Sequence, residues 1–130
     1  MLPVTSIIAA LAALLYIALA MRVIGVRRSD KVSLGDAANK TLETRIRQHC
    51  NFNEYVPLAL ILMAIAELQN APRLLLIVLG LAILGGRLAH VYGLENVHNA
   101  VGRKLRTYGM LSTFLSLVVL SLTLVLQTLI

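Results

Sequence analysis

Charge is scarce in this chain. Only 14% of its 130 residues are Asp, Glu, Lys or Arg, whereas 58% are hydrophobic. A soluble domain carries about a quarter charged and half apolar residues, so water is the wrong solvent for this composition. Cysteine is nearly absent too. Cys50 stands alone, which excludes an intramolecular disulfide, and no Cys/His pair has the spacing of a zinc site. Acidic residues number six against twelve Lys and Arg, for a net charge of +6. In a soluble protein that excess would suggest nucleic acid. In a membrane protein it reports topology instead, because basic residues gather in cytoplasmic loops, so nucleic acid is not among the expected partners.

The apolar residues lie in long runs. Leu2 to Met21 is uncharged and reads as a complete spanning helix, ended by Arg22, Arg27, Arg28 and Lys31. An Ala-x-Ala pattern at Ala18 and Ala20 resembles a signal-peptide cleavage site. However, no positive residue precedes the run and the run is long, so a first transmembrane helix is the better reading. A polar loop follows to Lys40, with Asp30, Asp36 and Asn39 as turn or cap residues.

The next apolar run, Tyr55 to Ala66, is too short to cross a hydrocarbon core about 30 Å thick at about 1.5 Å per residue. Its helix must start earlier, near Thr44, which draws Arg45, Arg47, His49, Asn51 and Glu54 into the membrane or its interface. Leu74 to Gly86 is also short, so a third helix must continue through Arg87 and His90, with Gly85 and Gly86 permitting close packing. Arg103, Lys104 and Arg106 open a fourth helix that runs uncharged from Thr107 to Ile130.

The expected architecture is therefore an all-α integral membrane protein. One transmembrane domain, residues 1–130, forms an up-down-up-down bundle with helices over about 2–25, 44–68, 73–93 and 103–129. Seven basic residues flank the first connection, one the second and four the third. The positive-inside rule then places the first and third connections in the cytoplasm and both termini outside.

On a helix, Arg47, Asn51 and Glu54 stand at i, i+4 and i+7 and share a stripe about 60° wide. Arg87 with His90, and Arg103 with Arg106, repeat the pattern at i and i+3. In the ordinary structural reading, Glu54 pairs with Arg47 or Arg87 to hold helices together. One carboxylate cannot neutralise four arginines, however, so an anionic ligand, either a small molecule or a lipid headgroup, is the competing reading. Arginine suits a carboxylate or phosphate because its planar fork donates two parallel hydrogen bonds. His49 lies off the stripe. Cys50 reads as a packing residue.

The skeleton Arg47-x-His49-x-Asn51-x-x-Glu54-Tyr55-x-Pro57 resembles the membrane-associated proteins in eicosanoid and glutathione metabolism, the MAPEG family. Gly86-Arg87-x-x-His90 and Arg106-x-x-Gly109 resemble its later motifs, in order and on the expected helices, and Val32 to Asp36 resemble its bacterial branch. The resemblance covers nearly the whole chain. It implies a homotrimer in a bacterial inner membrane that binds glutathione between subunits near the cytoplasmic face. Arg47, Asn51 and Glu54 would hold the charged ends of glutathione, and Arg87 and His90 would support the site. An arginine opening the fourth helix would face the thiol, Arg106 first and Arg103 as the alternative. The implied activity is a glutathione transferase or peroxidase acting on a hydrophobic electrophile; a noncatalytic protein binding an anionic lipid in the same cavity is the alternative. Where family enzymes often place tyrosine, four residues after His90 and four after Arg106, this chain has Leu94 and Met110, leaving Tyr92 or Tyr108 as substitutes. A four-helix multidrug exporter would need an acidic residue in the membrane, usually on the first helix, and that helix has none.

Overall fold

A computed structural model describes residues 1–129. Four helices occupy almost all of them: α1 (Pro3–Ser29), α2 (Lys40–Leu68), α3 (Arg73–Glu95) and α4 (Ala100–Leu129). All four are long and apolar enough to cross a membrane.

Local chemistry sets their ends. Asn39 precedes α2, and its side-chain oxygen accepts from the backbone N–H groups of Thr41 (3.0 Å) and Leu42 (3.1 Å). This N-cap starts the helix at Lys40, a turn before the position near Thr44 that the hydrophobic pattern suggests. Asn99 acts likewise for α4, accepting from the Gly102 N–H at 2.7 Å, so α4 includes Ala100 to Gly102 ahead of the basic cluster. At the end of α1, Arg27 and Arg28 lie in the last turn, where cations complement the helix dipole, and the helix runs on to Ser29.

The start of α1 is capped from a distance. Glu67, near the end of α2, accepts from the Val4 N–H (2.9 Å) and the Thr5 N–H (2.8 Å). A carboxylate at a helix N-terminus satisfies donors that would otherwise be orphaned and opposes the positive end of the dipole. Gln127 on α4 donates to the Gln69 carbonyl at the same end of the bundle. At the other end, Arg22 of α1 pairs with Glu95 of α3, and Gln48 of α2 donates to the Val91 carbonyl at 2.8 Å. Ile8, Phe52, Met63, Ile83 and Leu120 fill the core between these two polar layers. Leu14, Ile17, Leu81 and Leu122 face outward, as expected of helices that meet lipid.

The tightest packing joins α3 to α4. A Cβ added to Gly109 would lie 2.4 Å from the Gly86 carbonyl oxygen and 2.8 Å from the His90 nitrogen, so the two backbones touch there. Such approach is available only to glycine. Lipid gives helices no hydrophobic reason to associate, and close backbone contact supplies the attraction instead. Of the two adjacent glycines on α3, Gly86 makes this contact; Gly85 faces outward with nothing near it.

Candidate functional site

The contact between Gly86 and Gly109 fixes the register of α3 against α4. One turn further along α3 is His90, and one turn earlier on α4 is Arg106. Together with Arg47 and Asn51 from α2, and with Leu94 and Met110, they line a single cavity of about 410 Å³. That volume lies within the range of small-molecule sites, about 300–1,000 Å³. Three helices separated in sequence thus converge their polar groups on one space.

Each group has a distinct setting. Arg47 and Arg106 are exposed, with guanidinium groups free to meet a ligand. Asn51 donates its side-chain amide to the Arg47 carbonyl at 3.0 Å, one turn back, which fixes its rotamer and leaves its own amide oxygen available. His90 is buried at the floor. Arg103, the other candidate on α4, turns towards the preceding loop and donates to the His98 carbonyl at 3.1 Å. It lines a neighbouring hollow with Arg106 and Met110, not the space shared with α2.

Two residues of the expected cluster lie outside the cavity wall. Glu54 is exposed on α2, one turn past Asn51, and has no ion pair or side-chain hydrogen bond among the described residues. The pairing of Glu54 with Arg47 or Arg87 expected in the ordinary structural reading is therefore not made within the chain. Arg87 is 1% exposed and sits behind the cavity. Its Nη2 donates to the Gly109 carbonyl (3.1 Å) and lies 3.3 Å from the Met110 sulfur, and the guanidinium lies over the Tyr55 ring, 5.5 Å from its centroid. Its Nε and Nη1 have no hydrogen-bond partner among the described residues.

Met110 therefore lines the cavity and touches Arg87, a role its sequence position alone did not announce. The signal available was its place four residues after Arg106, on the same helix face. Tyr92 and Tyr108 are exposed and neither lines the cavity, so the Leu94 and Met110 positions present apolar groups with no tyrosine replacing them. His49 packs its ring on Tyr16 of α1, with centroids 4.6 Å apart, and Cys50 is exposed. Both are apart from the cavity.

Comparison with known proteins gives the arrangement a lineage. The chain is 34% identical over 119 residues to the inner membrane protein YecN of Escherichia coli K12, an alignment covering 92% of this chain and 88% of that one. The YecN of Escherichia coli O6:H1 matches to the same degree. No solved structure matches the chain. The model of the MAPEG family matches residues 5–126, a span that takes in nearly all of the four helices and every residue of the cavity, and the chain belongs to the MAPEG family.

Proposed function

We propose that this membrane protein binds glutathione in the cavity between α2, α3 and α4 and transfers it to a hydrophobic electrophile that arrives from the bilayer. The observation that carries the reading is the convergence of Arg47, Asn51, His90 and Arg106 on one cavity of ligand size. Glutathione at neutral pH carries two carboxylates and one ammonium, which suits several arginines and one carboxylate. Arg47 and Asn51 hold the charged ends. Arg106 faces the thiol, where its positive charge favours the thiolate and so lowers the thiol pKa. The thiol proton leaves to solvent at the open rim, and the thiolate sulfur then bonds to the electrophilic carbon as that carbon's bond to its leaving group breaks and the leaving group departs with the electron pair.

Glu54 finds its role in a homotrimer. A carboxylate exposed halfway along a spanning helix is costly against lipid, and a neighbouring subunit would cover it and bring it to the ammonium of a shared ligand. Both termini lie outside the cytoplasm in this proposal, since the basic residues gather at the opposite end of the bundle.

Calorimetry on the purified protein in detergent tests the proposal. Glutathione should bind to the wild type, Arg47→Ala should weaken binding at least tenfold, and Arg106→Ala should lower the rate of conjugation to a model electrophile. A wild type that binds no glutathione would refute it. The apolar wall formed by Leu94 and Met110 favours a second reading, a noncatalytic protein that holds an anionic lipid in the same cavity. Phospholipid retained in native mass spectra and not displaced by glutathione would decide for that one.

A further inference from the structure

A second and larger cavity, about 540 Å³, lies between the first turns of α2 and the last turn of α3 with its following loop. Lys40, Glu43, Arg45, Leu94 and Glu95 are among its walls. Its depth follows from helix length. α2 has 29 residues and spans about 43 Å, more than the hydrocarbon core of about 30 Å, so its first turns stand in the headgroup and aqueous zone. Glu95 is already paired with Arg22. Lys40, Arg45 and Glu43 make no side-chain hydrogen bond or ion pair among the described residues, and the Nε of Arg45 is buried without a partner. The free charges facing this space are therefore two cations and one carboxylate. One residue, Leu94, lines both this cavity and the one that holds Arg47 and Arg106.

Resting on the glutathione reading above, we infer that the outer cavity is a loading subsite for the water-soluble substrate, a zwitterionic peptide with excess negative charge, and that Leu94 is the gate between it and the inner cavity. Two anionic groups and one ammonium match Lys40, Arg45 and Glu43 by sign and number. The two substrates then reach the sulfur by separate routes: the peptide from the aqueous end, past Leu94, and the electrophile from lipid. Lys40 stands seven residues before Arg47, about 10 Å along the axis, and that distance exceeds a Debye length of about 8 Å at physiological salt. Its charge therefore acts on the approaching ligand far more than on the bound one, and Arg45, about 200° round the helix from Arg47, lines only the outer cavity. Loading residues of this kind change rates and leave affinity nearly constant.

The test is surface plasmon resonance with glutathione on the full-length protein in nanodiscs. At physiological ionic strength, the double variant K40Q/R45Q should slow association and dissociation together, by about three- to tenfold, with Kd moving less than threefold, and raising the salt to about 1 M should erase the difference from wild type. Leu94→Trp should slow both rates at any salt. Unchanged rates in the double variant, or faster dissociation, would overturn the inference. So would a phospholipid retained by the wild type and lost from the double variant, because that would assign the outer cavity to a headgroup. Should Leu94→Trp fail to fold, the double variant and its salt dependence decide alone. Absence of glutathione binding by the wild type sinks the proposed function itself and is distinguishable from all of these.

Discussion

Gly109→Ala tests whether the α3–α4 contact builds the site. The added methyl would stand 2.4 Å from the Gly86 carbonyl oxygen and 2.8 Å from the His90 nitrogen, where ordinary contact begins at 3.4 Å. Both obstacles are backbone, so no rotamer can relieve them, and the helices must part by about 1 Å. A gap of 0.5–1 Å forfeits roughly a quarter to a half of the dispersion attraction across it. Overpacking of this kind costs about 1–3 kcal/mol. Helices in lipid regain nothing from hydrophobic collapse. The same displacement lengthens the 3.1 Å bond from Arg87 to the Gly109 carbonyl and moves Arg106, one turn away, from its place opposite His90. Thermal unfolding in detergent, followed by circular dichroism, should show a lower midpoint, and glutathione binding by calorimetry should weaken with it. Gly85→Ala is the matched control. Nothing lies within 4 Å of its Cβ position, so it should melt at or slightly above the wild-type temperature. A Gly109→Ala protein with wild-type stability and binding would refute the reasoning.

Other consequences follow from the polar layers. Glu67→Gln keeps an acceptor for only part of the pair of N–H groups at Val4 and Thr5 and removes the charge, so it should cost about 1 kcal/mol. Faster amide exchange confined to the start of α1 is the expected signature, and unchanged exchange would count against the cap. Arg87→Met removes a buried guanidinium with two unpartnered nitrogens, so stability should stay within about 1 kcal/mol of wild type or rise. A loss beyond about 3 kcal/mol in a thermal or denaturant titration would mean that its contacts with Gly109, Met110 and Tyr55 outweigh the cost of burying it.

Much of this protein is legible in its sequence because lipid imposes simple rules. Every spanning segment must satisfy its own backbone, so a long apolar run has only helix available to it. The shortness of the runs at Tyr55–Ala66 and Leu74–Gly86 forces charge into α2 and α3, and the stripe of Arg47 and Asn51 follows from helical periodicity alone. Helix starts were less legible, since the caps at Asn39 and Asn99 extend α2 and α4 beyond the hydrophobic signal.

Contacts between distant segments belong to the tertiary structure. Periodicity places a residue on a face of its own helix but says nothing about which face of another helix it meets. Helical spacing puts Arg103 and Arg106 on one stripe, and only the family resemblance ranks Arg106 ahead of Arg103. The packing of Gly86 on Gly109 sets the rotation of α4 that aims Arg106 at the cavity, while the loop carbonyls draw Arg103 away. Folding likewise buried Arg87 beside Tyr55 and Met110, left Glu54 on the outer surface, and bent Glu67 back to cap α1. By itself the sequence determined a membrane protein with four helices and more arginine than carboxylate at their charged ends, since length, hydropathy and period are local quantities. Which of those arginines share one space was decided by backbone contact between helices, and that depends on where glycines from different segments meet.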